Sequence, residues 1–269
     1  MSRGDILVRG GYLLTMDQAG DVPDGDVHIS GGEIRAVGRG LDAPGAEVID
    51  AAGMIVAPGL VDTHWHLWNT LLRGLSDGAP GGAANSPDRS GYFVTCVRLG
   101  RRFLPSDTYA GTRLACAEAI DAGITTVHDW AHNIRGREWA EAGLRALAES
   151  GLRARFSYGY ETGHPNDQVM ALDDLAHVHD TWPAYSAGGR IHLTPGKRAD
   201  LIAVSVNAWN LGVLTNPARL LVTAAHPGNV HTVIADGRIL KRGDALTGYD
   251  VAEVTRSARS ALAGVLARA

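Results

Sequence analysis

The sequence is poor in the features that mark secreted, membrane and nucleic-acid-binding proteins. It has two cysteines, Cys96 and Cys116, in 269 residues, too few for a disulfide framework and typical of a reducing compartment. Its 25 basic and 29 acidic residues give a net charge of −4 without a long run of either sign, which argues against nucleic acid and anionic membranes as partners. No apolar run approaches the roughly 20 residues of a membrane span. We therefore expect a cytoplasmic globular protein.

Common nucleotide-binding and nucleophile motifs are also absent from the sequence. It has no Walker loop, no dinucleotide fingerprint and no nucleophile elbow, and Gly31-Gly32 is typical of a hairpin turn. Hydrophobic residues make up 45% of the chain, enough to bury a core in one large domain or two smaller ones. Any chemistry must therefore come from other residue patterns.

The most informative pattern lies in the segment Pro58–His66. The apolar residues before His64 predict a short buried strand whose last residues are His64 and His66. Because side chains alternate along a strand, the two imidazoles point the same way and Trp65 points to the opposite face. Two converging imidazoles are half of the ligand set of a divalent metal, with Zn–N bonds of about 2.0–2.1 Å. The alternative is a strand end whose histidines are solvated or hydrogen-bonded to neighbours.

Short strands flank a central region in which strands and helices alternate. Residues 5–56 and 196–240 contain strands joined by Gly-rich or Asp-Gly turns, typical of a small sheet or sandwich. The predicted central elements are the strands 59–66, 124–127, 154–158 and 190–193 and the helices 106–122 (with Ser106 as N-cap behind Pro105), 137–150 and 167–182. This order indicates βαβ units on a parallel sheet, and residues 251–266 predict an amphipathic closing helix.

Two separated segments resemble the amidohydrolase superfamily, which contains metal-dependent hydrolases and deaminases built on a TIM barrel. Pro58–His66 resembles its first barrel strand, and Pro195–Leu201 resembles the segment with which its flanking β domain resumes. The resemblance implies an α/β fold with TIM-barrel-type (β/α) units and a small β-sandwich-like domain. The implied division is a β domain formed by residues 1–58 and 194–269, the latter with the closing helix, around a partial barrel of residues 59–193.

The barrel region is short for this family. Residues 59–192 number 192 − 59 + 1 = 134, whereas a closed eight-stranded barrel takes about 250 residues and at least about 200. Four strands are predicted before the β-domain sequence resumes at Thr194, and the resemblance implies four more βα units there. We therefore expect an internal deletion or gap near residues 192–194.

The resemblance also implies a metal-activated water that attacks a C–N or C–halogen bond of a small, heterocyclic substrate. His64 and His66 would be ligands of one divalent metal, zinc in the first place, with iron or manganese as alternatives. The family places further histidines on strands 5 and 6, an acid on strand 5 and an aspartate on strand 8. Those strands are not in this sequence, so the catalytic residues are left unassigned.

Loops at the strand ends supply candidate substrate-binding residues, because on a TIM-like scaffold they share one face with the histidine pair. The segment 129–133 resembles the Asp-Trp-Ser-His-Asn segment that lines the substrate pocket in chlorohydrolase- and cytosine-deaminase-like members. The candidates are Trp68, Asn69, Asp129, His132, Tyr160 and Glu161. The alternatives are loop packing by Trp68, loop capping by Asp129 and local hydrogen bonding by His132.

A second H-x-H, formed by His177 and His179, falls in a helical pattern. Residues two apart on a helix point away from each other. We therefore interpret this pair as surface or structural residues.

Two functions fit these patterns. The first is a metal-dependent amidohydrolase that acts on a small molecule. The second treats the 269 residues as the whole protein, an inactive half-barrel with unpaired parallel edges. Such edges would favour pairing with a second copy, so a homo-oligomer is a candidate assembly.

Overall fold

The computed structural model describes residues 4–76, 91–165, 167–191, 200–211 and 216–269. Its strands are β1 (Ile6–Leu13), β2 (Val22–Ser30), β3 (Glu33–Gly38), β4 (Glu47–Asp50), β5 (Met54–Pro58), β6 (Leu60–Trp65), β7 (Ile124–Ile134), β8 (Arg153–Tyr160), β9 (Leu201–Ser205), β10 (Val230–Ala235), β11 (Arg238–Arg242) and β12 (Ala245–Leu246). Its α-helices are α1 (Tyr92–Gly100), α2 (Pro105–Asp121), α3 (Arg137–Ser150), α4 (Leu172–Thr181), α5 (Pro217–Thr223) and α6 (Val251–Ala267), and 3-10 helices span Leu67–Leu72, Trp182–Tyr185 and Pro227–Asn229.

Nine strands form one sheet that contains both terminal segments of the chain. Its order is β12-β11-β10-β9-β5-β1-β2-β3, with β4 paired to β1. The two segments meet where β5 pairs antiparallel with β9, and Ile55 lies opposite Val204. Apolar residues of both segments, including Val8, Ile29 and Ala203, share one buried cluster. Residues on one face of a strand are two apart, so short stretches that alternate apolar and polar residues supply the apolar face of this core.

The strands β6, β7 and β8 form a second sheet with β7 in the middle. In the sequence, α1 and α2 separate β6 from β7, and α3 separates β7 from β8. Strands and helices alternate as predicted, but α1 is an additional helix that the sequence analysis did not predict, and α3 has the predicted bounds. The fold is therefore mixed α/β, and no helix in the described ranges is long and apolar enough to span a membrane.

The start of β6 lies unusually close to β7 because residue 59 is glycine. A Cβ added at Gly59 would lie 2.1 Å from Oγ1 and 2.8 Å from Cβ of Thr125. Beside this contact, the N–H of Leu60 donates to the carbonyl oxygen of Gly123 at 3.0 Å. A side chain at residue 59 would force the two segments apart, so the approach requires glycine.

The structure corrects three predicted central elements. The strand before the histidine pair, expected to be buried, is largely exposed, with Leu60 50% and Val61 60% exposed. Arg190 and Ile191, placed in a fourth strand, lie in a turn and a bend, and the N–H of Ile191 donates to the carbonyl oxygen of Ser186 at 3.2 Å. That hydrogen bond closes a turn, which prevents the extended conformation of a strand. The helix expected at 167–182 begins at Leu172 and ends at Thr181. Residues 192–199, where the join and most of the second resembling segment were expected, lie outside the described residues.

The chain divides into two compact units. The first comprises Met1–Asp62, Glu118–Thr126 and Thr194–Gly248, and the second comprises Thr63–Ala117, Val127–Leu193 and Tyr249–Ala269. This division differs from the predicted domains because residues 118–126 join the first unit and α6 joins the second. Within the second unit, Ala258 and Val265 of α6 are buried in a cluster with Trp68, Leu99 and Phe103.

Candidate metal centre

The two histidines at the end of β6 are neighbours. His64 lies within the strand, and His66 follows its last residue at the N-cap of the 3-10 helix Leu67–Leu72. Their ring centroids are 5.1 Å apart, with the ring planes at 85°. This proximity is what strand alternation requires of residues two apart.

A backbone carbonyl fixes the tautomer of His66. Its Nδ1 lies 2.7 Å from the carbonyl oxygen of Trp130. Because a carbonyl oxygen can only accept, Nδ1 carries the proton and donates it, and the lone pair of the neutral ring is on Nε2. Histidines that bind metals usually donate their second ring N–H to such a partner. His66 therefore has the protonation pattern of a metal ligand.

The strand β7 places a third imidazole against this pair. Nδ1 of His132 lies 2.9 Å from Nδ1 of His66 and 3.3 Å from the carbonyl oxygen of Trp130. Burial, reinforced by the adjacent His66 ring, lowers the pKa of His132 to about 4. His132 is therefore neutral at neutral pH and adds no positive charge beside the pair.

The same face of β7 carries His128 and Trp130, which sequence reasoning did not select. The Trp130 ring stacks with His64 at a centroid distance of 5.0 Å and with His128 at 4.8 Å, and its Nε1 donates to the carbonyl oxygen of Thr63 at 3.1 Å. Nε2 of His128 lies 2.6 Å from Oγ of Ser157 on β8. The period-two alternation of polar and aromatic residues along β7 was the signal that could have identified them.

Asp129 lies on the opposite face of β7 and is 2% exposed. Its Oδ1 accepts the N–H of Leu67 at 3.2 Å. Burial raises the pKa of Asp129 to about 7, and the Leu67 N–H counteracts part of that rise. Burial, followed by the nearby Asp129 carboxylate, also raises the pKa of Cys116 to about 12. The position of Asp129 corresponds to the loop-capping alternative, since it binds the first N–H after the histidine pair.

The two candidates that follow His66 have different environments. Trp68 is 3% exposed, and its ring packs edge-on against Phe103 and His132, with centroids at 4.9 and 5.3 Å. Asn69 is half-buried, and its Nδ2 donates to the Tyr92 hydroxyl at 2.9 Å beside a cavity of about 230 Å³. The buried position of Trp68 corresponds to the packing alternative, whereas Asn69 lies beside open space.

The two candidates after β8 have partners of their own. Tyr160, at the end of β8, is 51% exposed, and its ring centroid lies 5.2 Å from that of His164. Glu161 forms an ion pair with Arg135 at 3.0 Å. Of the predicted substrate residues, His132 is thus the one that the structure places against the histidine pair.

The donor atoms suit zinc in kind but are incomplete in number. Two imidazoles, one with its tautomer fixed, supply nitrogen ligands of the type that zinc prefers. Among the described residues, no group of three or more His, Cys, Asp or Glu is arranged to hold a metal ion. A catalytic zinc site usually has three protein ligands and one open position. The pair therefore fits one side of a metal site.

Comparison with known sequences identifies deaminases as relatives, whereas no protein-family model matches the chain. The chain is 39% identical over 157 residues to a 5'-deoxyadenosine deaminase of Methanococcoides burtonii, covering 58% of this chain and 33% of that protein. It is 32% identical over 196 residues to a 5-methylthioadenosine/S-adenosylhomocysteine deaminase of Pelotomaculum thermopropionicum, covering 73% and 38%. The chain thus spans roughly a third of the length of the curated relatives it matches.

Solved structures share the fold. A zinc complex of atrazine chlorohydrolase from Arthrobacter aurescens aligns with a TM-score of 0.72 and 14% identity, covering 96% of this chain and 100% of that chain. A zinc-bound adenosine deaminase from Xanthomonas campestris aligns with a TM-score of 0.65 and 16% identity, covering 98% and 99%. At these identities the structures establish a similar fold. With the sequence relatives added, the chain belongs to the amidohydrolase superfamily.

Proposed function

We propose that this chain carries the first metal-binding strand of a hydrolase that uses a metal-activated water to break a C–N bond of a small heterocyclic molecule. The observation that carries the proposal is the histidine pair, in which the Trp130 carbonyl directs the lone pair of His66 to Nε2. The names of the relatives, which include deaminases and a chlorohydrolase, support this class of reaction and keep a C–halogen bond as a second target.

Zinc, when bound, would supply a Lewis acid that lowers the pKa of a water molecule to about 7. His64 and His66 would hold the ion from one side. The stacking of Trp130 on His64 restricts one ring, and the contact between His132 and His66 restricts the other. His132 would stay neutral at the working pH because of its burial, so it would not repel the cation. Iron and manganese remain alternatives because imidazole binds both.

The proposal includes an incomplete TIM-type barrel of residues 59–193 between the two parts of a sandwich-like β domain, 1–58 and 194–269. The described residues supply three strands of this sheet, β6 to β8, whereas a closed barrel has eight. Completion of the ligand set would therefore require groups beyond the histidine pair. Asn69, His132, Tyr160 and Glu161 stay the proposed substrate contacts, with the cytoplasm as the proposed compartment.

The test is metal-dependent turnover by the purified chain. The chain is loaded with zinc, and ammonia release is measured with adenosine, 5'-deoxyadenosine and 5-methylthioadenosine, while chloride release is measured with atrazine. We expect release of ammonia that is abolished by a chelator and by His66→Ala. No release from any substrate by a chain that binds zinc, together with a dimeric mass by light scattering, would instead favour the inactive half-barrel, which the comparisons do not support.

A further inference from the structure

A small cavity inside the second unit is bordered by the turn that follows the histidine pair. Its volume is about 10 Å³, and its walls come from the 3-10 helix Leu67–Leu72, from α2, β7 and α3, and from Phe156 of β8. The backbone of α2 approaches this turn closely, because a Cβ at Gly111 would lie 2.5 Å from the carbonyl oxygen of Trp68. The close approach brings the residues before and after Gly111 on α2 to the cavity.

Three polar side chains that line this space, His132, Asn133 and Trp139, have hydrogen-bond partners. Four other polar side chains also line it. Nε1 of Trp68 and the hydroxyls of Thr108 and Thr112 are buried without a hydrogen-bonding partner among the described residues. These residues are 3%, 8% and 1% exposed. The fourth, Asp129, accepts a hydrogen bond of 3.2 Å from Leu67 and has further acceptor capacity. Buried polar groups in native proteins are nearly always paired, so several such groups around one space indicate a shared ligand.

The chemistry of the four groups selects the kind of ligand. The indole N–H of Trp68 can only donate, so the ligand must have a lone pair. Asp129 can only accept when it is ionised and can donate as well as accept when it is protonated, so the ligand must suit both forms, and the hydroxyls accommodate either role. Metal cations and ammonium have no lone pair for the indole, and a halide has no proton for Asp129 in its ionised form. A water molecule has both, and it needs roughly 10–15 Å³ of such space.

We propose that one buried water molecule occupies this cavity and hydrogen-bonds Trp68 Nε1, the hydroxyls of Thr108 and Thr112, and the carboxyl group of Asp129. The site ties the turn after His66 to α2 and β7. It is independent of the proposed function, because none of the four groups is a proposed metal ligand.

The first test is one substitution that should change the urea midpoint of unfolding in opposite directions, depending on whether the cavity holds water. Thr112→Val keeps the shape of the side chain and removes its hydroxyl. With the water bound, the substitution removes one of its partners, so the urea midpoint of unfolding falls. Without the water, it removes an unpaired buried hydroxyl, so the midpoint stays or rises.

A double-mutant cycle tests whether the groups share one ligand. Asp129→Asn preserves shape and removes the second acceptor oxygen. If one water bridges Asp129 and Thr112, the destabilisation of the double variant differs from the sum of the two single variants. Additive effects would show that the two side chains act independently, and would overturn the shared site.

Direct observation is the third measurement, and it does not depend on how the variants fold. In a high-resolution crystal structure we expect one density peak about 2.7–3.2 Å from Nε1 of Trp68. In solution we expect a cross-peak between that indole proton and long-lived water, assigned by its loss in Trp68→Phe. No peak at that position in well-ordered density, or no water cross-peak to an assigned indole signal, would overturn the proposal.

Discussion

The chain contains two H-x-H pairs with identical spacing and opposite geometry. In the pair on β6, the two rings lie 5.1 Å apart. On α4, His177 reaches a carboxylate oxygen of Glu141 at 3.2 Å, whereas the side chain of His179 is 81% exposed beside Asp180. Residues two apart alternate back to the same face of a strand, but they are about 200° apart around a helix. Spacing therefore indicates a metal site only after the element that carries it is known.

Measuring zinc affinity is the most direct test of the difference between the histidine pairs on β6 and α4. We expect His64→Ala/His66→Ala to weaken zinc binding by at least about 100-fold, because loss of ligands costs more than the roughly 10- to 100-fold loss caused by a changed supporting residue. The matched control, His177→Ala/His179→Ala, removes the same number of imidazoles and should leave affinity within about twofold. Competition with a chromophoric chelator measures both. Equal losses in the two variants would show that zinc binds without regard to the strand geometry.

A substitution at Gly59 tests whether the close packing of β6 and β7 supports the strand pair. Gly59→Ala places a Cβ against Thr125, and we expect a loss of about 2–3 kcal/mol in the free energy of unfolding. Gly248→Ala is the control, since a Cβ there has no heavy atom within 4 Å. Urea unfolding measures the difference. Equal stability of the two variants would contradict the required close approach.

The pH dependence of stability tests the carboxyl group that caps the turn after the strand pair. The folded pKa of Asp129 is about 7, above its ordinary value of 3.8, so the folded state binds more protons between these values. The contribution of this group to stability is therefore present at low pH and is lost as pH rises through about 7. Asp129→Asn removes this loss, and we expect the stability of the variant relative to wild type to rise by about 2 kcal/mol from pH 5 to 7.

His132 has a pH effect of the opposite sign. Its folded pKa of about 4 lies below its ordinary value of 6.5, so its contribution to stability rises with pH through that interval and is lost as pH falls. It is present in both proteins, so the difference between Asp129→Asn and wild type isolates Asp129. Urea unfolding of metal-free protein at several pH values provides the measurement, and parallel curves for the two proteins would contradict the elevated pKa.

The helical pair should give the smallest effect. His177→Gln weakens a contact with Glu141 in which both side chains are about one-third exposed, and such pairs contribute about 0.2–1 kcal/mol. We expect a destabilisation of that size and unchanged zinc affinity. Glu141→Gln should have a similar effect. A much larger loss in either variant would show that α4 and α3 depend on this contact for their packing.

The sequence was sufficient where local pattern determines the outcome. The bounds of α3 and the proximity of His64 and His66 follow from helical and strand periodicity. The sequence was insufficient where a contact with a residue far along the chain determines the outcome. The tautomer of His66 is an example, because it depends on the carbonyl oxygen of Trp130, 64 residues away. The roles of Trp130 and His128 likewise arise from contacts across neighbouring strands.

Local pattern also failed at the start of one helix and at one predicted strand. Ser106 was the predicted N-cap, but α2 begins at Pro105, and the carboxylate of Asp107 accepts the N–H of Leu104 at 2.8 Å. Proline suits the first helical position because it has no N–H to leave unpaired. The predicted strand at 190–193 alternates polar and apolar residues as a strand does. However, the hydrogen bond from Ile191 to Ser186 places Arg190 and Ile191 in a turn and a bend.

The pairing of β5 with β9 has a consequence for the order in which the protein is made. Residues 54–58 leave the ribosome well before residues 201–205. The pairing of β5 with β9, in the middle of the nine-stranded sheet, therefore forms only after about 140 more residues have been translated, at roughly 5–20 residues per second. During those seconds β5 exposes backbone groups to any other nascent chain. Synthesis rate and chaperone access should therefore govern the yield of native protein more strongly for this sheet than for α3.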